Sequence, residues 1–130
     1  MLFFGAGDIA FQGKRMSLAQ SLRPIEIDQN AIAAEARSVA IEIRRRCAPK
    51  RVILFGSAAT GSFKFGSDLD FILVFRDLSE LRTARSKLRK DGKLHNEFPI
   101  DLIFMTQEHF DTEKERGGLC YIVESEGVDL

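Results

Sequence analysis

The segment that most constrains this chain is Asp68-Leu69-Asp70-Phe71-Ile72-Leu73-Val74-Phe75. Alternate side chains of an extended strand point to opposite faces, so Leu69, Phe71, Leu73 and Phe75 share one side and Asp68, Asp70, Ile72 and Val74 the other. Apolar residues on both faces require cover above and below, which puts this strand in the middle of a covered sheet. The two carboxylates at its start are then what the fold has to accommodate.

The neighbouring segments supply the cover. From Asn30 to Cys47 the apolar positions Ile32, Ala36, Val39, Ile43 and Cys47 recur at steps of three and four, predicting an amphipathic helix capped by Asp28 or Asn30. It ends on Arg44-Arg45-Arg46, where positive charge suits the helix dipole, and Pro49 breaks it. Val52-Ile53-Leu54-Phe55 reads as a short buried strand stopped by Gly56, and Ser57 to Gly66 as a loop with one helical turn at Ala58-Ala59-Thr60. Asp77 or Ser79 can cap a helix to about Lys90, with Leu78, Leu81, Ala84 and Leu88 inward. Pro99 to Met105 reads as a third strand with Asp101, Ile103 and Met105 on one face. A helix from about Gln107 to Arg116, a Gly117-Gly118 break and a last helix from Leu119 to Glu126, with Gly127 as C-cap, complete an α/β domain with a small sheet.

Length and composition narrow the rest. At 130 residues the chain makes one domain, taken here as residues 25–130 behind an N-terminal extension, 1–24, that holds Gly5, Gly7, Gly13 and Pro24 without periodicity. Nineteen basic residues balance nineteen acidic ones, so net charge gives no support for nucleic-acid binding. Cys47 and Cys120 lie far apart without a CxxC or Cys/His cluster, which argues for reduced thiols rather than zinc or disulfides. The opening Met1-Leu2-Phe3-Phe4-Gly5 has no basic flank and meets Asp8 too soon for a signal or membrane segment. A cytoplasmic location is the expectation.

Asp68 and Asp70, two apart on a strand, are expected to point the same way, about 6 to 7 Å apart at the backbone. Magnesium is held by carboxylate oxygens, and two ions of a phosphoryl-transfer site lie about 3.5 to 4 Å apart, a gap that converging carboxylates can bridge. Two like charges on a face shared with Ile72 and Val74 are costly to desolvate without a counter-ion. Asp101, a polar interruption in the apolar run Phe98 to Phe104, joins the cluster if the third strand lies beside the second. Gly56-Ser57 ends the first strand where free N–H groups, a residue without Cβ and the Ser57 hydroxyl can face phosphate. Taken singly, each of these residues reads as a cap or turn; their order and spacing together read as a site.

Gly56-Ser57, ten intervening residues, Asp68-x-Asp70 and the later strand residue Asp101 resemble the minimal nucleotidyltransferases of the DNA polymerase beta superfamily. The similarity covers about residues 30 to 130. The resemblance implies a mixed sheet flanked by helices, two Mg2+ ions and transfer of a nucleoside monophosphate from ATP or another NTP to an acceptor hydroxyl. By position it implies that Asp68, Asp70 and Asp101 hold the metals, that Asp101 helps activate the acceptor, and that Gly56 and Ser57 bind the phosphates; Ser67 and Lys64 are further candidates for phosphate binding. Many such proteins act as antitoxins beside a HEPN partner, some by attaching AMP to its tyrosine. Where many relatives carry arginine after the Gly-Ser, this chain has Ala58-Ala59-Thr60, leaving Lys64 or Arg51 as substitutes and a binding-only antitoxin as the alternative.

Other patterns fall away. Gly56-x-x-x-x-Gly61 is followed by Ser62-Phe63 rather than Lys-Ser/Thr, so it is not a P-loop. Arg89 and His95 mimic the HEPN ribonuclease spacing, but Gly92 interrupts the helix that motif needs. His95 and His109 are isolated, and the basic stretch Arg82 to Lys93 reads as a solvated helix face, with contact to an RNA or an acidic partner as the alternative. Phe55, Phe71, Phe75 and Phe104 are expected in the core, whereas Phe63 and Phe65 lie in the glycine loop, where packing competes with stacking on a nucleobase. Tyr121 and Ile122 are free either to pack internally or to form a face for a partner or a second copy.

Overall fold

The computed structural model describes residues 27–92, 94 and 97–130. The proposed extension at residues 1–24 and His95 lie outside them. In chain order the elements are α1 (Gln29–Arg46), β1 (Arg51–Phe55), α2 (Ser57–Thr60), β2 (Leu69–Phe75), α3 (Leu78–Lys90), β3 (Ile100–Thr106), α4 (Gln107–Glu115), α5 (Leu119–Glu126) and β4 (Val128–Asp129). The sheet runs β3-β2-β1-β4. β2 is antiparallel to β1 and parallel to β3, and β4 returns antiparallel to the far side of β1. The fold is therefore α/β with a mixed sheet.

β2 holds the interior position its pattern predicts: Leu69 and all five residues from Phe71 to Phe75 are buried. Its Leu69, Phe71, Leu73 and Phe75 pack with Val52 and Leu54 beneath α1 and α3, against Ile32, Ala36, Val39, Ala40, Ile43, Leu81 and Ala84. Its Ile72 and Val74 face the other way, with Ile53, against Phe110 of α4 and Cys120 and Val123 of α5. Each face of the sheet thus has its own helix pair, and burial on both sides is what a nearly continuous apolar strand demands.

The helix ends follow local chemistry. Asp28 accepts from the Asn30 N–H, Asp77 from the Glu80 N–H and Thr106 from the His109 N–H, each satisfying a donor of the first turn. Leu78, expected inward, is instead half exposed, because α3 buries only Leu81 and Ala84 fully and lets Leu88 lie at the margin. Phe110, missing from the expected core, is completely buried, while Phe55 and Phe104 are only partly so. Both cysteines are free, Cys47 against the α1/α3 layer and Cys120 against the α4/α5 layer.

The chain beyond α5 departs from expectation. Val128 and Asp129 pair with Leu54 and Ile53, and the Leu130 N–H reaches the Val52 carbonyl at 2.8 Å, so the end is a strand. Gly127 caps α5, but with φ −74° rather than in the left-handed region. Space decides the residue: a Cβ there would lie 2.6 Å from the Val123 carbonyl oxygen and 2.7 Å from Ile53 Cγ2. Among the described residues no helix is long and apolar enough to cross a membrane.

Candidate active site

The register of the sheet brings the carboxylates together. In the parallel β2/β3 ladder Asp70 stands directly opposite Asp101, and in the antiparallel β1/β2 ladder it stands opposite Phe55. Paired residues share a face, so Asp70 and Asp101 lie on the α4/α5 side with backbones about 4.8 Å apart. Asp68 is placed differently from expectation. It precedes β2 by one residue, outside the paired ladder, yet its charge still acts on Asp70. The next amide, that of Leu69, donates to the Pro99 carbonyl at 2.9 Å and ties this approach to the start of β3.

Gly56 closes the other side of the cluster. Its backbone, at φ 76° and ψ −155°, lies in a region open essentially to glycine alone. A Cβ added there would meet Asp70 Oδ2 at 2.7 Å, so the Asp70 carboxylate rests directly on the glycine turn. Beyond it, the first bond of the α2 turn runs from the Ala59 N–H to the Gly56 carbonyl, leaving the Ser57 and Ala58 amides ahead of it unused by the turn.

The three acids find no cation among the described residues. Among the described residues none of Asp68, Asp70 and Asp101 makes a side-chain hydrogen bond or ion pair, although eleven ion pairs form elsewhere. Asp70 is half-buried and the other two are exposed. Burial, then the charge of Asp101, then that of Asp68, push the Asp70 carboxyl above its ordinary value of 3.8. External positive charge beside the cluster would oppose all three effects, and an all-oxygen donor set suits magnesium or manganese. Among the described residues no three acids, histidines or cysteines close into a cage as they stand. The register-locked pair is the fixed part of the site.

The loop between the glycine turn and Asp68 carries the remaining candidates. The Lys64 ammonium is exposed and unpaired among the described residues, whereas the Ser67 hydroxyl accepts from the Lys64 N–H at 3.2 Å. Arg51 is excluded as a phosphate ligand. It begins β1, four residues and about 13 Å from Phe55, and its guanidinium grips both oxygens of Asp129 at 3.1 and 3.0 Å and Glu124 at 3.3 Å, over the Phe110 ring. Gln29 went unnoticed in the sequence: its amide donates to the Phe63 carbonyl at 2.9 Å and accepts from the Phe63 N–H at 3.2 Å, clamping the loop to α1. No local pattern signals a bond across 34 residues. His109 lies on the exposed side of α4 beside Glu113.

Residues 37–129 match the nucleotidyltransferase domain family. The chain belongs to this nucleotidyltransferase family. The expected resemblance is thereby borne out at the level of the nucleotidyltransferase family. A solved structure from Sulfolobus solfataricus, provisionally described as a nucleotidyltransferase, is 21% identical, with 92% of this chain and 90% of that chain covered and a TM-score of 0.45. No curated protein matches the chain.

Proposed function

We infer that this nucleotidyltransferase moves a nucleoside monophosphate, AMP from ATP, to an acceptor hydroxyl, with divalent magnesium bound by Asp70, Asp101 and Asp68. The observation that carries this reading is the cross-strand pairing of Asp70 with Asp101 against Gly56, three carboxylates having no protein cation among the described residues. When bound, the metal would neutralise the acids and polarise the phosphates. The rest falls to the chain. The amides at Ser57 and Ala58 and the Lys64 ammonium hold the phosphates, and Ser67 keeps its loop closed. Asp101 accepts the proton of the acceptor hydroxyl, whose oxygen bonds to the α-phosphorus as the bond to the leaving pyrophosphate breaks.

For the acceptor we propose a hydroxyl on a HEPN partner protein, with the chain acting as its antitoxin in the cytoplasm. Incubation with labelled ATP, Mg2+ and the protein encoded beside it is expected to label that partner. Asp101→Asn, an exposed change that leaves the core intact, is expected to lower the rate at least about 100-fold. Absence of labelling with all four NTPs refutes the transferase reading. One observation favours a second reading: Ala58-Ala59-Thr60 supplies no bidentate phosphate ligand. On that reading the chain neutralises its partner by binding alone, and an Asp68→Asn/Asp70→Asn variant retains full neutralisation.

A further inference from the structure

The two phenylalanines flanking Lys64 have opposite environments. Phe63 is 3% exposed, held at its backbone by Gln29, and meets the Phe98 ring edge-on at 5.1 Å. Phe65 is 64% exposed, the highest value among the large apolar residues left at the surface of the described chain, and its ring has no aromatic or cationic partner there. Single exposed apolar side chains are ordinary, so exposure alone decides nothing. The backbone beneath this one is closed. The Ser67 N–H donates to the Lys64 carbonyl at 3.0 Å, the Lys64 N–H donates to Ser67 Oγ at 3.2 Å, and Gly66 takes φ 89°. Phe65 therefore occupies the first central position of a turn whose second central position requires the left-handed region, the type II arrangement. The turn is tethered to α1 through Phe63 on one side and to β3 through Leu69 on the other.

An aromatic side chain on a pre-formed turn loses little freedom when a flat ligand covers it, because only two torsions remain to be fixed. The place of this ring in the chain indicates which ligand. The loop leaves the glycine turn at Gly61 and reaches Asp68 three residues after Phe65, at most about 10 Å of extended chain. We propose that Phe65 is the stacking platform for the nucleobase of the bound nucleoside triphosphate. The proposal rests on the nucleotidyltransferase reading above and extends it from the phosphates to the base. Stacking on one ring is tolerant of base identity, so purine triphosphates are favoured over pyrimidine ones by face area, without strict selection between ATP and GTP.

The chain has no tryptophan, so Phe65→Trp installs a single indole reporter. Titration of that variant with ATP and Mg2+ is expected to quench the indole saturably, whereas inorganic tripolyphosphate with Mg2+ competes with ATP but does not itself quench. Phe65→Ala is expected to weaken ATP binding about 10-fold, leave tripolyphosphate affinity unchanged by calorimetry, and keep the thermal midpoint of the parent. If Phe65→Ala binds ATP as tightly as the parent while tripolyphosphate also binds, the base lies elsewhere and this proposal alone falls. It falls in the same way if Phe65→Ala weakens ATP and tripolyphosphate equally. If the parent chain binds neither compound, the reading of the whole site falls with it.

Discussion

Replacing Asp70 by Asn tests the electrostatics of the site independently of any turnover. Asp70 and Asp101 are register partners with backbones about 4.8 Å apart, and at that separation two unit charges repel by about 1 kcal/mol in a water-like dielectric and about 3 kcal/mol at an effective dielectric of 20. Because Asp101 is exposed, the lower end applies, and Asp70→Asn is expected to stabilise the metal-free protein by about 1 kcal/mol, or about 4 °C in thermal midpoint. The sign with pH follows from the raised carboxyl of Asp70. The folded protein takes up this proton at higher pH than the unfolded chain. The cost of the charge is therefore full above the folded value, declines as pH falls, and is gone below the unfolded value near 3.8. The advantage of Asp70→Asn should vanish over the same window. Magnesium should reverse the order, since saturation to ten times its Kd adds about 1.4 kcal/mol to a protein that binds it. Circular dichroism melts of both proteins in EDTA and in Mg2+, from neutral pH to below pH 4, read all of this. A variant less stable than the parent in EDTA, or one that gains as much from Mg2+, would refute the reasoning.

Two further substitutions probe placements that only the folded chain reveals. Arg51→Met is expected to leave the KM for ATP unchanged while lowering stability by about 0.5 to 1 kcal/mol, because Arg51 braces β1 to Asp129 and Glu124 instead of binding phosphate; a marked rise in KM with normal stability would reinstate it as a ligand. Gly127→Ala is expected to cost about 1 to 3 kcal/mol, since its methyl group meets the Val123 carbonyl and Ile53 Cγ2, both on packed elements. Denaturant unfolding checks it, and an unchanged midpoint would show that the α5 to β4 junction yields freely.

Much of this architecture was legible because it depends on short-range periodicity. The two-faced apolar run of β2 required an interior strand, the three- and four-residue spacing of Ile32, Ala36, Val39 and Ile43 specified the buried face of α1, and Asp28 and Asp77 cap as their positions suggest. Short-range signals failed where packing between distant segments decides. β4 has only two residues and owes its conformation to β1, so no window of sequence announces it. Phe110 stands alone among polar residues of α4, and its burial follows from the sheet face it meets. Phe63 and Phe65 look alike in the chain, and only the Gln29 clamp and the Phe98 ring separate them.

The residue pattern by itself determined the α/β class and the interior strand and marked the acids as candidates, because side-chain alternation and turn chemistry are properties of adjacent residues. Which acids meet was decided by tertiary structure alone. The register between β2 and β3 sets Asp70 against Asp101, the glycine turn closes over one oxygen, and Asp68 lies outside the ladder. Register is a relation between strands some thirty residues apart in the chain, and it is set by hydrogen bonds and packing that no single segment contains.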